Sequence, residues 1–102
     1  MFKFDENWNF VLNKNYTEIL RLDELLSSAG IPHELRRNFD GWQVIYYKDG
    51  ERISDAIEHG GSYGEAENLL EIMGLTENKD GVEGYLTADE VFKRYLNHYE
   101  GR

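Results

Sequence analysis

Two Asp-Gly dipeptides, Asp40-Gly41 and Asp49-Gly50, constrain this chain more than any other feature. Between alternating apolar runs such a pair signals a hairpin, because a two-residue type I′ turn needs left-handed backbone at both central positions; Gly adopts it freely and Asp tolerates it. The runs they separate, 33–39, 42–47 and 51–58, are expected to form a three-stranded antiparallel meander. In the middle run Trp42, Val44 and Tyr46 share one face and Gln43, Ile45 and Tyr47 the other, the pattern of a central strand covered on both sides. The third run sets Ile53, Asp55 and Ile57 against Ser54, Ala56 and Glu58, and the charge among the apolar residues predicts an edge strand.

Helical periodicity flanks the meander. From residue 15 or 16 to 29, Ile19, Leu22, Leu25, Leu26 and Ala29 recur at three- and four-residue steps, which predicts an amphipathic helix stopped by Gly30 and Pro32. Residues 63–73 keep a similar period through Ala66, Leu69, Leu70, Ile72 and Met73, and Ser62 with Glu65 has the spacing of a capping box. A helix is expected there, with a strand over 69–73 as the alternative. Residues 76–86 read as an acidic, glycine-bearing loop. Thr87 and Glu90 then form a second capping box, opening a helix whose apolar face is Val91, Phe92, Tyr95, Leu96 and Tyr99. The expected architecture is therefore α+β: helix, three-stranded antiparallel meander, then two helices (αβββαα), with the helices on one face of the sheet. With 102 residues the chain has room for one domain, 1–102, made of an aromatic N-terminal arm over 1–15 and a compact core over 16–99. The arm carries Phe2, Phe4, Trp8 and Phe10, and is expected to pack against the core.

Composition narrows the function. Eleven Lys and Arg against 20 Asp and Glu give a net charge of −9, which argues against binding nucleic acid or an anionic membrane. The absence of Cys excludes disulfides, thiolate metal sites and a Cys nucleophile, and a reducing cytoplasm is the expected compartment. The charge is uneven: residues 49–90 hold twelve carboxylates against Arg52 and Lys79, a local net of −10. Glu65, Glu67, Glu71, Glu77, Asp80 and Glu83 are the candidate protein-binding residues, an acidic face that would attract a basic protein surface and could mimic nucleic acid. The competing use of such charge is solubility. More aromatics are present than a core this small can hide, so Tyr47, Tyr63 and Tyr99 are expected at the surface, where they favour protein contacts or assembly.

Catalytic signals are weaker. Glu58 and His59, beside the turn His59-Gly60-Gly61-Ser62-Tyr63-Gly64, are the candidate acid and base of an enzymatic alternative, yet the turn matches neither a P-loop nor GxGxxG. His33, His59 and His98 fall in three different predicted elements, without a metal-binding spacing. Residues 79–90 echo the second half of an EF-hand, with Gly84 as the turn glycine and Glu90 as the twelfth ligand. Lys79 and Gly81, however, stand where the first carboxylates belong. Neither metal nor cofactor is expected.

Leu22-Asp23-Glu24-Leu25-Leu26 with Ala29-Gly30-Ile31-Pro32, Phe39-Asp40-Gly41-Trp42-Gln43-Val44, the Ile57 to Gly64 segment, Leu69 to Leu75 and Gly84 to Phe92 together resemble small uncharacterised proteins encoded in bacteriophage and prophage genomes of gut-type bacteria. The likeness spans 22–98 and departs around 48–54. It implies a phage or mobile-element setting, and transfers no catalytic residue. Helix-strand-strand-strand-helix is also the order of a double-stranded-RNA-binding domain, but the acidic C-terminal half has the wrong sign for phosphates. The expected function is a non-catalytic accessory protein that binds another protein.

Overall fold

The computed structural model describes residues 16–59, 62, 67–77, 79 and 81–101. In it, helix α1 (Thr17–Ser28) leads into strands β1 (His33–Asn38), β2 (Gly41–Lys48) and β3 (Glu51–Glu58). Strands β4 (Leu70–Met73) and β5 (Val82–Leu86) follow, and helix α2 (Ala88–Tyr99) ends the described chain. The strands form one antiparallel sheet in chain order, β1-β2-β3-β4-β5. Among the described residues the fold is thus α+β, with five strands in place of the three expected.

The α1 stop works through hydrogen bonds. Gly30 takes φ 72°, its N–H donates to the Ser27 carbonyl and that of Ile31 to the Leu26 carbonyl, the paired bonds of a Schellman ending. Ile31 then turns inward, 2% exposed. Further along the chain Thr87 Oγ1 accepts from the Glu90 N–H while the Glu90 carboxylate accepts from the Thr87 N–H, completing the predicted capping box of α2. Ile19, Leu22 and Leu26 of α1 and Ala88, Val91 and Tyr95 of α2 bury themselves against Val44, Tyr46, Ala56, Leu70, Ile72 and Leu86. Both helices therefore cover the same face of the sheet. Each Leu or Ile so buried contributes about 1.5–3 kcal/mol relative to exposure.

The sheet corrects four expectations. First, residues 70–73 form the strand that stood as the alternative and not the helix: Leu70 and Ile72 enter the core while Met73 stays exposed, a period of two that the same apolar run also satisfies. Gly74, φ 85°, turns the chain toward β5 instead of ending a helix, and the expected 76–86 loop contains β5. Second, β3 is interior, flanked by β2 and β4; the carboxylate that suggested an edge, Asp55, is buried there and accepts a hydrogen bond from Gln43. Third, Asn38 pairs with Gly41, so Phe39 and Asp40 form the first turn, one residue earlier than Asp40-Gly41; Asp49 and Gly50, φ 54° and 81°, do form the second. Gly41 is needed for a different reason: a Cβ there would overlap the Glu58 carbonyl oxygen. Fourth, Ser62 does not cap a described helix, since its hydroxyl folds back on His59. Glu65, Tyr63 and the arm over 1–15 lie outside the described residues.

One prediction holds on both sides of the sheet. On β2, Val44 and Tyr46 are buried toward the helices, and Gln43 and Ile45 are buried on the opposite face. A bulge between Tyr46 and Tyr47 shifts the β2–β3 register, so that Ser54 opposes Tyr46 and Arg52 opposes Tyr47.

Candidate interaction surface

The residues best able to do chemistry are turned inward or tied down. Glu58 lies at the end of β3 opposite Trp42 and is fully buried. His59 follows it, half-buried, its ring edge-on to Phe39 at 5.2 Å. Ser62 Oγ accepts the His59 N–H at 3.1 Å and donates to the His59 carbonyl at 2.8 Å, so the hydroxyl serves the turn. Gly60, Gly61, Tyr63 and Gly64 lie outside the described residues.

The three histidines serve three separate parts of the fold. His33 bridges the Ile31 carbonyl and Asp23, each at 2.8 Å, fastening α1 to β1. His59 meets Phe39. His98 shares a 2.8 Å hydrogen bond between Nδ1 and the Tyr46 hydroxyl, while Lys48 Nζ donates to its carbonyl. Among the described residues no group of three or more His, Asp or Glu is arranged to hold a metal ion. Gly84 lies inside β5 and Glu90 caps α2, so the EF-hand-like stretch takes another shape.

Beneath α2 runs a buried hydroxyl network that sequence reading missed. Tyr46 and Tyr95 stack at 4.7 Å. Ser54 Oγ lies 2.8 Å from the carbonyls of both Met73 and Gly74, which can only accept; its hydrogen therefore goes to them, and Tyr95 donates to Ser54 at 2.9 Å. Burial pushes the Tyr95 hydroxyl's pKa well up, and burial with the nearby Tyr99 and Asp49 raises that of Tyr46. These phenols stay neutral and structural.

The carboxylates of 49–90 separate into a set engaged by partners within the fold and a set that faces solvent. Glu83 meets both terminal guanidinium nitrogens of Arg94 at 2.7 Å, and those hydrogen bonds hold its carboxyl at about 2. The same pairing raises the Arg94 pKa. Asp55 accepts from Gln43 at 2.7 Å, Asp89 pairs with Arg21 at 3.1 Å, and Glu90 is occupied by its cap. Asp49, Glu51, Glu67 and Glu77 are exposed, and Glu71 is half-buried beside β5. Of the predicted binding residues, Glu67 and Glu77 thus face solvent, Glu83 is committed to α2, and Glu65 and Asp80 lie outside the described residues. Asp49 lies in the β2–β3 turn and Glu51 directly after it, whereas Glu67 precedes β4 at the opposite end of the sheet.

Exposed aromatics gather differently from expectation. Tyr99 is 36% exposed and Tyr47 half-buried, but Phe39 is 87% exposed at the tip of the β1–β2 hairpin. Its backbone is left-handed, φ 54°, a conformation that bulky residues rarely hold. The tip itself is well fixed: the Tyr16 hydroxyl donates to the Asp40 carbonyl at 2.6 Å, and Arg37 stacks over Trp42 at 4.7 Å. An aromatic directly before Asp40-Gly41, assigned from sequence to the end of the 33–39 run, was the available signal for this feature.

Compared with known proteins, the chain matches no protein-family model, no curated protein and no solved structure.

Proposed function

We propose that the chain is a non-catalytic protein-binding protein, an accessory factor of phage or prophage origin acting in the cytoplasm, that docks on a basic protein surface through its exposed carboxylates and Phe39. The observation that carries this reading is Phe39, an aromatic ring 87% exposed on a backbone of φ 54°. Water and the turn both disfavour Phe at that position, and a contact supplied by another molecule offsets both. The net charge of −9 favours a basic partner over nucleic acid. Exposed carboxylates at both ends of the sheet support plain docking more than mimicry of nucleic acid, which needs them in a row along one face. The phage setting rests on the sequence resemblance.

A catalytic role for the 59–64 turn draws less support, because Glu58 is interior and Ser62 is bound to His59. The test is capture of partners by tagged protein from a phage-bearing host lysate, eluted in rising salt. A partner retained by the wild type, released by salt and lost from both Phe39→Asn and the Glu67→Lys/Glu77→Lys pair is the expected result. Retention indifferent to these substitutions contradicts it.

A further inference from the structure

In an antiparallel ladder the residues of an outer strand alternate between bonding inward to their neighbour and pointing their N–H and C=O outward. The Tyr47 N–H donates to the Pro32 carbonyl at 3.1 Å, which fixes the phase of that alternation on β1. Carried along the register in which Glu34 opposes Ile45 and Arg36 opposes Gln43, the even-numbered residues of β1 bond to β2. His33, Leu35 and Arg37 therefore present their backbone groups away from the sheet, and among the described residues β1 pairs with β2 alone. Glu34 and Arg36 project from the face opposite the helices and are exposed, while Leu35 is half-buried against the core.

We propose that this edge is a homodimer interface, in which two copies pair their β1 strands antiparallel about a two-fold axis passing by Leu35. Outward-facing residues must meet outward-facing residues, so the permitted registers differ by two. With Leu35 opposite Leu35 of the second copy, His33 opposes Arg37, all three outward residues bond in both strands, and Glu34 stands directly opposite Arg36 of the other copy, twice by symmetry. Sliding the register by two in one direction sets Glu34 against Glu34; sliding it in the other sets Arg36 against Arg36. Opposite charges directly across a ladder stabilise and like charges destabilise, so the sequence selects one register. Charges on an edge strand ordinarily block pairing; here their order makes the strand complementary to itself. Existing contacts leave both groups usable: Arg36 spends its Nε on Gln43, and Glu34 accepts a 3.2 Å bond from the Tyr47 hydroxyl through one oxygen. Self-complementary two-fold contacts are the commonest form of association. A contact of one strand is small, which predicts a weak dimer with a dissociation constant on the order of 100 μM.

Sedimentation velocity of the full chain, over concentrations up to about 1 mM, reads this directly. The expected result is a mean mass rising from 12.0 kDa toward twice that value. Glu34→Arg should weaken the association at least about tenfold, and Glu34→Arg combined with Arg36→Glu should restore it. Leu35→Pro should abolish it, because the ring removes an outward N–H that β2 does not use. Far-UV circular dichroism of each variant confirms that the monomer folds. A strictly monomeric wild type overturns the proposal, as does association that Glu34→Arg and Leu35→Pro leave unchanged, or a double exchange that fails to restore it. Glu34 and Arg36 stand outside the carboxylate set and Phe39, so partner capture by Glu34→Arg separates this inference from the proposed function.

Discussion

Glu83→Gln tests the ion pair that fastens α2 to the last strand. Glu83 and Arg94 are 17% and 22% exposed in their side chains and meet through two 2.7 Å hydrogen bonds. The Glu83 carboxyl is held at about 2 against an ordinary 4.5, a difference equivalent to roughly 3 kcal/mol at neutral pH. Water reaches the rim of the pair, and screening there brings the expected contribution to about 1–2 kcal/mol. The folded pKa lies below the unfolded one, so this stability is complete above the ordinary 4.5 and is lost as pH falls toward about 2. Glutamine preserves shape and one acceptor but carries no charge. Urea unfolding of both proteins, followed by far-UV circular dichroism across a pH series, should show the wild type about 1–2 kcal/mol more stable at neutral pH. The gap should close through the window from 4.5 to about 2. A gap as wide at the acid end as at neutrality, or none at neutrality, refutes the reasoning.

Three further outcomes are expected. Ser54→Ala leaves the Tyr95 hydroxyl without its acceptor and the Met73 and Gly74 carbonyls without that donor, and should cost about 1–3 kcal/mol by urea unfolding. Gly41→Ala drives a methyl into the Glu58 backbone and should cost more than about 3 kcal/mol, or prevent folding, as read by circular dichroism and thermal melting. Phe39→Asn, by contrast, should be neutral or stabilising by up to about 1 kcal/mol, because Asn accepts left-handed backbone and an exposed ring gives up little beyond its edge contact with His59.

The legible parts of the fold were those whose signals are local. Gly30-Ile31-Pro32 after a periodic run carries its own stop, Thr87 and Glu90 bond to each other, and Asp49-Gly50 supplies both left-handed residues of its turn. What escaped depends on partners distant in sequence. Leu69 to Met73 satisfies helix and strand periods alike, and only pairing with β3 and β5 decides between them. A strand with Glu83 turned toward α2 reads as loop until Arg94, eleven residues on, is seen to receive it. Asp55 resembled an edge marker because its acceptor role toward Gln43 crosses from one strand to the next. The candidate surface was legible in the same measure: the excess of carboxylates is compositional, but which of them are engaged by partners within the fold and which face solvent follows from tertiary contacts. Phe39 went unnoticed because the Asp40-Gly41 pair drew the turn one residue too far along.

Whether Phe39 is held for a contact or for the fold is decided by measuring stability and partner retention on the same Phe39→Asn protein. An unchanged or higher melting temperature together with loss of the retained partner is the expected result. A marked fall in melting temperature with binding intact would contradict it.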